Sequence, residues 1–195
     1  MASVHLFATL ILSSLVYAIY EIYELEVSPG DFAIQHRLEV EAEPHRFFQF
    51  LVQEDSLEKF LPWLTRLKEA DTRIMSAGKN YRAFLKLPIL GMGKIELTVT
   101  EYRPANLLIL ESSDTTTQQR IKLRVRRYQN HTVLRTSIHL RKTSAVYHYT
   151  FGLVVRRYMR RHLENSSPFI AEIYRAVTKP LDTLENHYGN CRLVK

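Results

Sequence analysis

The stretch EPHRFFQFLVQEDSLEKFLPWL, Glu43–Leu64, holds the sharpest change of period in the chain and carries its only Trp. Pro44 suits a first helical turn, where its missing N–H is no loss. Phe47, Phe48, Phe50 and Leu51 then make an apolar stripe that lets a short helix lie on a sheet. A second helical piece spans Ser56 to Leu61, with Ser56 as its N-cap. Trp63, at the exit, reads as a plug between this helix pair and a sheet, or as the edge of a pocket mouth.

On both sides of this stretch the chain alternates. FAIQHRLEVEA, from Phe32, sets Ile34, His36, Leu38 and Val40 against Gln35, Arg37, Glu39 and Glu41, a period of two that marks a first strand. After Trp63, TRLKEADTRIM, NYRAFLKLP, KIELTVTEY, LLILES, RIKLRVRRY and TVLRTSIHLR supply six more strands. Turn signals at Ser76-Ala77-Gly78, Arg103-Pro104-Ala105-Asn106 and Gln129-Asn130-His131 suit an antiparallel meander. FGLVVRRYMRRHL then returns to helical spacing, with Phe151, Val154, Val155, Tyr158 and His162 on one face. Ser166-Ser167-Pro168 is predicted to interrupt that helix, and PFIAEIYRAV to resume it.

This order of elements, with Glu43–Leu64 behind the first strand, resembles the START-like or polyketide cyclase/dehydrase superfamily. GMGKIELTVTEYRPANLLILES, Gly91–Ser112, is similar to that family's strand, arginine-proline turn and strand ending in Glu-Ser. The resemblance covers about Phe32 to Val177. It implies an α+β helix-grip fold, in which two short helices plug one end of a curved seven-stranded antiparallel sheet. The first strand would pair with the last, and a long C-terminal helix would cross the concave face. The resemblance also implies a cavity there for an apolar ligand. The inward rows agree, since Leu, Ile and Val with few polar groups select lipid-like molecules. The expected lining is Trp63, Tyr81, Ala83, Leu85, Ile95, Leu97, Val99, Leu123, Val125, Leu134, Thr136 and Ile138, faced by Phe151, Val155, Tyr158 and His162.

Chemistry is not signalled. The eight histidines are scattered, with no His-x-x-x-His or Cys-x-x-Cys spacing, so no metal is expected. Gly-x-Ser-x-Gly, a phosphate-cradling glycine loop and a dinucleotide fingerprint are all missing, so no cofactor is expected either. Tyr102, Glu111, Tyr158 and His162 are the polar groups that would serve as acid or base if they face the cavity. The reading is therefore a module that binds or transfers a hydrophobic small molecule or lipid. A cyclase- or dehydratase-like enzyme on a hydrophobic substrate is the alternative, and a ligand-free interaction domain is a third class.

The net charge of +7 falls on definite faces. Arg120, Lys122, Arg124 and Arg126 alternate with Ile121, Leu123 and Val125, and Arg135, His139 and Arg141 do the same on the next strand. With Arg156, Arg157, Arg160 and Arg161 they are expected to meet an anionic bilayer, at about 1 kcal/mol per well-placed charge. Nucleic acid is not expected as a partner, because no aromatic residues interleave with these arginines for base stacking.

With 195 residues, 46% of them hydrophobic, the chain can bury one sizeable core. Residues 32–178 are expected to form one domain and 179–195 a tail, whose Cys191, the only cysteine, excludes an intrachain disulfide. Residues 1–23 differ in kind, since LFATLILSSLVYAIY, Leu6–Tyr20, carries no charge and ends among Tyr17, Tyr20 and Tyr23. They read as a single-pass membrane anchor. A signal peptide cleaved near Ala18, leaving a secreted domain, is the alternative. Val27-Ser28-Pro29-Gly30-Asp31 closes the linker of residues 24–31 with a turn.

Overall fold

The computed structural model describes residues 2–88, 91–129 and 131–178. Helix α1 (Ala2–Glu24) leads through a 3-10 turn (Pro29–Phe32) to β1 (Ile34–Val40), α2 (Pro44–Leu51) and α3 (Glu54–Phe60). Six strands follow: β2 (Leu64–Glu69), β3 (Asn80–Leu87), β4 (Gly91–Arg103), β5 (Leu107–Ser112), β6 (Gln119–Tyr128) and β7 (His131–Leu140). A short α4 (Ala145–Tyr149) precedes the long α5 (Phe151–Thr178). The expected tail 179–195 with Cys191, and Asn130 of the β6–β7 turn, lie outside the described residues.

The seven strands form one antiparallel sheet in the order β1-β7-β6-β5-β4-β3-β2. The first strand does pair with the last, placing Ile34 opposite Ile138 and Val40 opposite Thr132. Alternation works because successive side chains of a strand point to opposite faces. On β3, Tyr81, Ala83, Leu85 and Leu87 are buried, while Arg82 and Lys86 are exposed. On β6, Ile121, Leu123 and Val125 are buried between half-buried cations.

Four local features depart from the sequence reading. Helix α3 starts at Glu54, and Ser56 is buried inside it rather than capping it. The acidic first turn suits the positive end of the helix. It also brings carboxylates to the sheet edge, where Glu58 accepts from the backbone N–H of Arg66 at 2.9 Å and Leu67 at 3.0 Å, and Glu54 from Glu69 at 2.6 Å. These acids cover the unpaired edge of β2, which would otherwise be open to another strand. Second, β2 ends at Glu69, so the residues through Met75 are not strand.

Third, β4 bulges between Val99 and Glu101, which reverses its parity. Tyr102 therefore sits opposite Leu108 on the inner face and stacks on Phe48 at 6.0 Å. Fourth, α5 runs without interruption through Pro168. Pro168 has no N–H for the Glu164 carbonyl. Packing holds the helix together there, because Ser166 donates to the Phe60 carbonyl at 2.8 Å and Ser167 to Leu163 at 2.6 Å. Beyond the proline, Tyr174 packs edge-on against Phe47 at 5.2 Å. The buried face of α5 is Val155, Met159, Leu163, Ile170 and Tyr174, whereas Val154, expected inward, is 42% exposed.

The core lies between the sheet's inner rows, the α2–α3 pair and α5. Helix α1 stands apart from it. From Leu10 to Tyr23 its large apolar side chains are exposed on every side. Its end is tied to α4, because Ala145 donates its N–H to Leu25 at 3.0 Å and Val27 to Thr143 at 2.8 Å. Among the described residues no helix is long and apolar enough to cross a membrane.

Candidate functional site

The inner rows converge beneath α5. Leu97, Val99, Leu123, Leu134, Ile138 and Val155 are wholly buried, and Tyr81, Ala83, Leu85, Ile95, Val125 and Thr136 nearly so. Phe151, Tyr158 and His162 are half-buried on the flank of α5. Trp63 reaches across the concave side, and its indole N–H donates to Gln119 Oε1 at 3.2 Å, deep in the structure. Gln119 in turn donates to Thr117 at 3.0 Å, and Thr117 to Asp114 at 2.8 Å. Trp63 is thus a plug held by a buried polar chain.

Polar groups break this apolar surface at three points. His36 Nε2, Thr136 Oγ1 and Tyr147 Oη are buried and have no hydrogen-bond partner among the described residues. His36 and Thr136 stand directly opposite each other on β1 and β7. Burial pulls the His36 imidazole below its ordinary pKa, against the opposing pull of Glu164 on α5. Burial, with Asp114 adding to it, pushes the Tyr147 hydroxyl up to about 12. A buried donor or acceptor without a partner costs about 1 to 3 kcal/mol, so it calls for water or a ligand atom.

At the start of α5 a cleft of about 680 Å³ has a floor of Phe32, Ala33, Ile34 and Leu153 and a rim of Arg156, Arg157, Arg160, Arg161, Asp31 and Glu164. Arg156 is committed inward. Its guanidinium donates to His148 Nδ1 and to the His148 carbonyl, each at 3.0 Å, and lies 4.7 Å over the Phe32 ring. Since Arg only donates, His148 carries its proton on Nε2 and gives it to the Lys142 carbonyl at 2.6 Å. Arg157, Arg160 and Arg161 form no ion pair among the described residues. Gly152 makes this junction possible, because a Cβ there would lie 2.9 Å from the Tyr147 carbonyl.

No family model matches the chain, and no curated protein matches it in sequence. Solved structures do match. TTHA0849 from Thermus thermophilus superposes with a TM-score of 0.58 at 13% identity, over 75% of this chain and 99% of that one. The di-domain ARO/CYC StfQ of the steffimycin biosynthetic pathway gives 0.53 at 15% identity, over 72% of this chain and 49% of that one. Ara h 8.0201 gives 0.52 at 9% identity, over 72% and 97%. The chain has the helix-grip fold.

Within this helix-grip domain the proposed acids and bases are not gathered. Glu111 lies on the outer face, bound to Arg120 at 3.1 Å and Arg141 at 3.0 Å. Tyr102 is stacked on Phe48, and only Tyr158 and His162 meet, with ring centres 4.3 Å apart. Burial, then Lys86 and Arg161, lowers the His162 pKa. Among the described residues no group of His, Cys, Asp and Glu is placed to hold a metal. Sequence reasoning put His36 on the inner row without making it a site residue, and passed over Tyr147, Met159 and Leu163. A period-two count could have promoted His36. Tyr147 had no signal, because its place depends on how α4 docks.

Proposed function

We propose that this helix-grip domain takes up an apolar small molecule or lipid between the sheet and α5, and that α1 tethers it to a membrane. The observation that carries the reading is the facing pair His36 and Thr136, two polar groups without partners among the described residues on a mostly apolar inner surface. A ligand with a long apolar body and one hydroxyl or carbonyl would satisfy them and displace no other hydrogen bond. The inner rows are buried beneath α5, so uptake requires α5 to part from the sheet. Arg157, Arg160 and Arg161, which line a cleft with the Asp31–Ile34 segment that follows α1, would favour an anionic bilayer.

Native mass spectrometry of the full chain, with lipid extraction, is the direct test, and an apolar molecule retained by the protein is expected. Thr136→Val separates the readings, because it keeps the volume and removes the hydroxyl. With a bound ligand the variant loses affinity for an environment-sensitive lipid probe. If wild type holds no molecule and binds no probe, and Thr136→Val merely melts higher, the reading is wrong. A molecule recovered chemically altered would favour an enzyme acting on a hydrophobic substrate in the same space. For the tether, the full chain should stay in the membrane pellet through alkaline carbonate extraction, and a soluble species starting at Ile19 would sink it.

A further inference from the structure

On the outer face of the sheet, Arg37, Arg135 and Arg124 stand in one row across three neighbouring strands. Arg135 is directly opposite Arg37 on one side and Arg124 on the other. The next row is Gln35, Ser137 and Lys122, again directly opposed. Like charges facing each other across a strand pair repel and destabilise it. Arg37 has a partial answer in Glu39 at 2.7 Å. Lys122, Arg124 and Arg135 have no carboxylate partner among the described residues, and Glu111, the nearest acid along β5 and β6, is taken by Arg120 and Arg141.

These side chains do not simply splay into solvent. Gln35, Arg37, Lys122, Arg124, Arg135 and Ser137 line one groove of about 430 Å³, to which His36 and Thr136 also contribute between them. A plainer role for them is cover. Leu107 and Ile109, opposite Arg124 and Lys122, are buried beneath the outer face, where long aliphatic stems can shield them. Cover explains the length of the side chains and leaves the stacked charge unexplained, because an uncharged stem would shield as well without the repulsion.

We propose that this groove binds a phosphate-class oxyanion, carried either by a free phosphorylated molecule or by a lipid headgroup. Guanidinium forks match the paired oxygens of a phosphate, and the Ser137 hydroxyl and Gln35 amide add neutral donors. One bound dianion would turn a repulsive row into a cross-strand clamp. By strand alternation its cationic side chains point away from the inner face, although His36 and Thr136 also border the groove, so the test alters only outward residues.

The test follows thermal melting of the full chain with millimolar inorganic phosphate against chloride at matched ionic strength. A parallel arm follows sedimentation with phosphatidic acid vesicles against phosphatidylcholine vesicles. Arg124→Met with Arg135→Met keeps the stems and removes the charges. Phosphate should raise the wild-type melting point saturably, and the double variant should melt higher than wild type without phosphate and bind it at least about tenfold more weakly. A response to phosphate with no excess sedimentation on phosphatidic acid over phosphatidylcholine assigns a free molecule, and an excess on phosphatidic acid that phosphate competes away and the double variant loses assigns a headgroup. Equal shifts in phosphate and matched chloride overturn the site, as does a double variant that responds to phosphate like wild type. Should the double variant fail to fold, Lys122→Gln and Arg135→Met alone give the same reading, each expected to weaken phosphate binding.

Discussion

The inner and outer faces of the sheet are made from alternate residues of the same strands, yet different forces govern them. On β6 the inner Ile121, Leu123 and Val125 are buried among apolar neighbours, while Lys122 and Arg124 point the other way among like charges. Volume rules the first face, since dense interiors have no room to spare. Charge rules the second, where water screens most contacts and only direct opposition counts. One strand can therefore present an apolar face and a cationic face without compromise. Each face also carries its own unmet demand: the inner pair lacks a hydrogen-bond partner among the described residues, and Arg124 and Arg135 of the outer row form no ion pair there.

The contrast predicts effects of graded size. Trp63→Ala should do the most damage, about 3 to 5 kcal/mol by denaturant unfolding, because it empties the plug and strands the Gln119 amide. Trp63→Phe, which keeps most of the volume, should cost much less. Leu97→Trp comes next, since overfilling a packed interior costs about 1 to 3 kcal/mol. If its melting point barely moves while lipid-probe binding falls, the inner face has room that the closed packing hides.

On the outer face Glu111→Gln leaves Arg120 and Arg141 without their shared acid, and should cost no more than about 1 kcal/mol, falling as salt rises. A loss as large as that of Trp63→Ala would mean that the outer charges hold the sheet together. The smallest effect expected is with pH. Burial lowers the folded-state pKa of His36 and His162 below the ordinary 6.5 of the unfolded chain. The unfolded chain then binds more protons, so this stability is fully present above about pH 6.5 and drains away as pH falls. Melting points measured from pH 7.5 downward should decline, and His36→Asn with His162→Asn should flatten the decline. An unchanged slope in that variant would move the acid sensitivity elsewhere, with His139 the first candidate, its pKa lowered by burial and then by Arg120.

The seven strands, the helix pair behind the first of them and the facing of most inner residues were legible in the sequence, whereas α4 was not. A strand's period of two and a helix's spacing are local properties that survive in the linear text, as on β3, where every second residue from Tyr81 to Leu87 is buried. The sequence also foretold a long C-terminal helix and a special place for Trp63. That α5 passes unbroken through Pro168 depends on long-range packing, because Ser166 reaches the Phe60 carbonyl on a helix more than a hundred residues earlier. Local propensity counts the missing N–H and cannot count that contact. The bulge that turns Tyr102 inward leaves no mark in the alternation before it, and Arg156 reads like its neighbours until α4 folds back to offer His148. The facing pairs His36–Thr136 and Arg37–Arg135 likewise exist only once β1 lies beside β7, residues about a hundred positions apart in the chain. Register between distant strands is set by the whole inner face packing at once, and no single segment contains it.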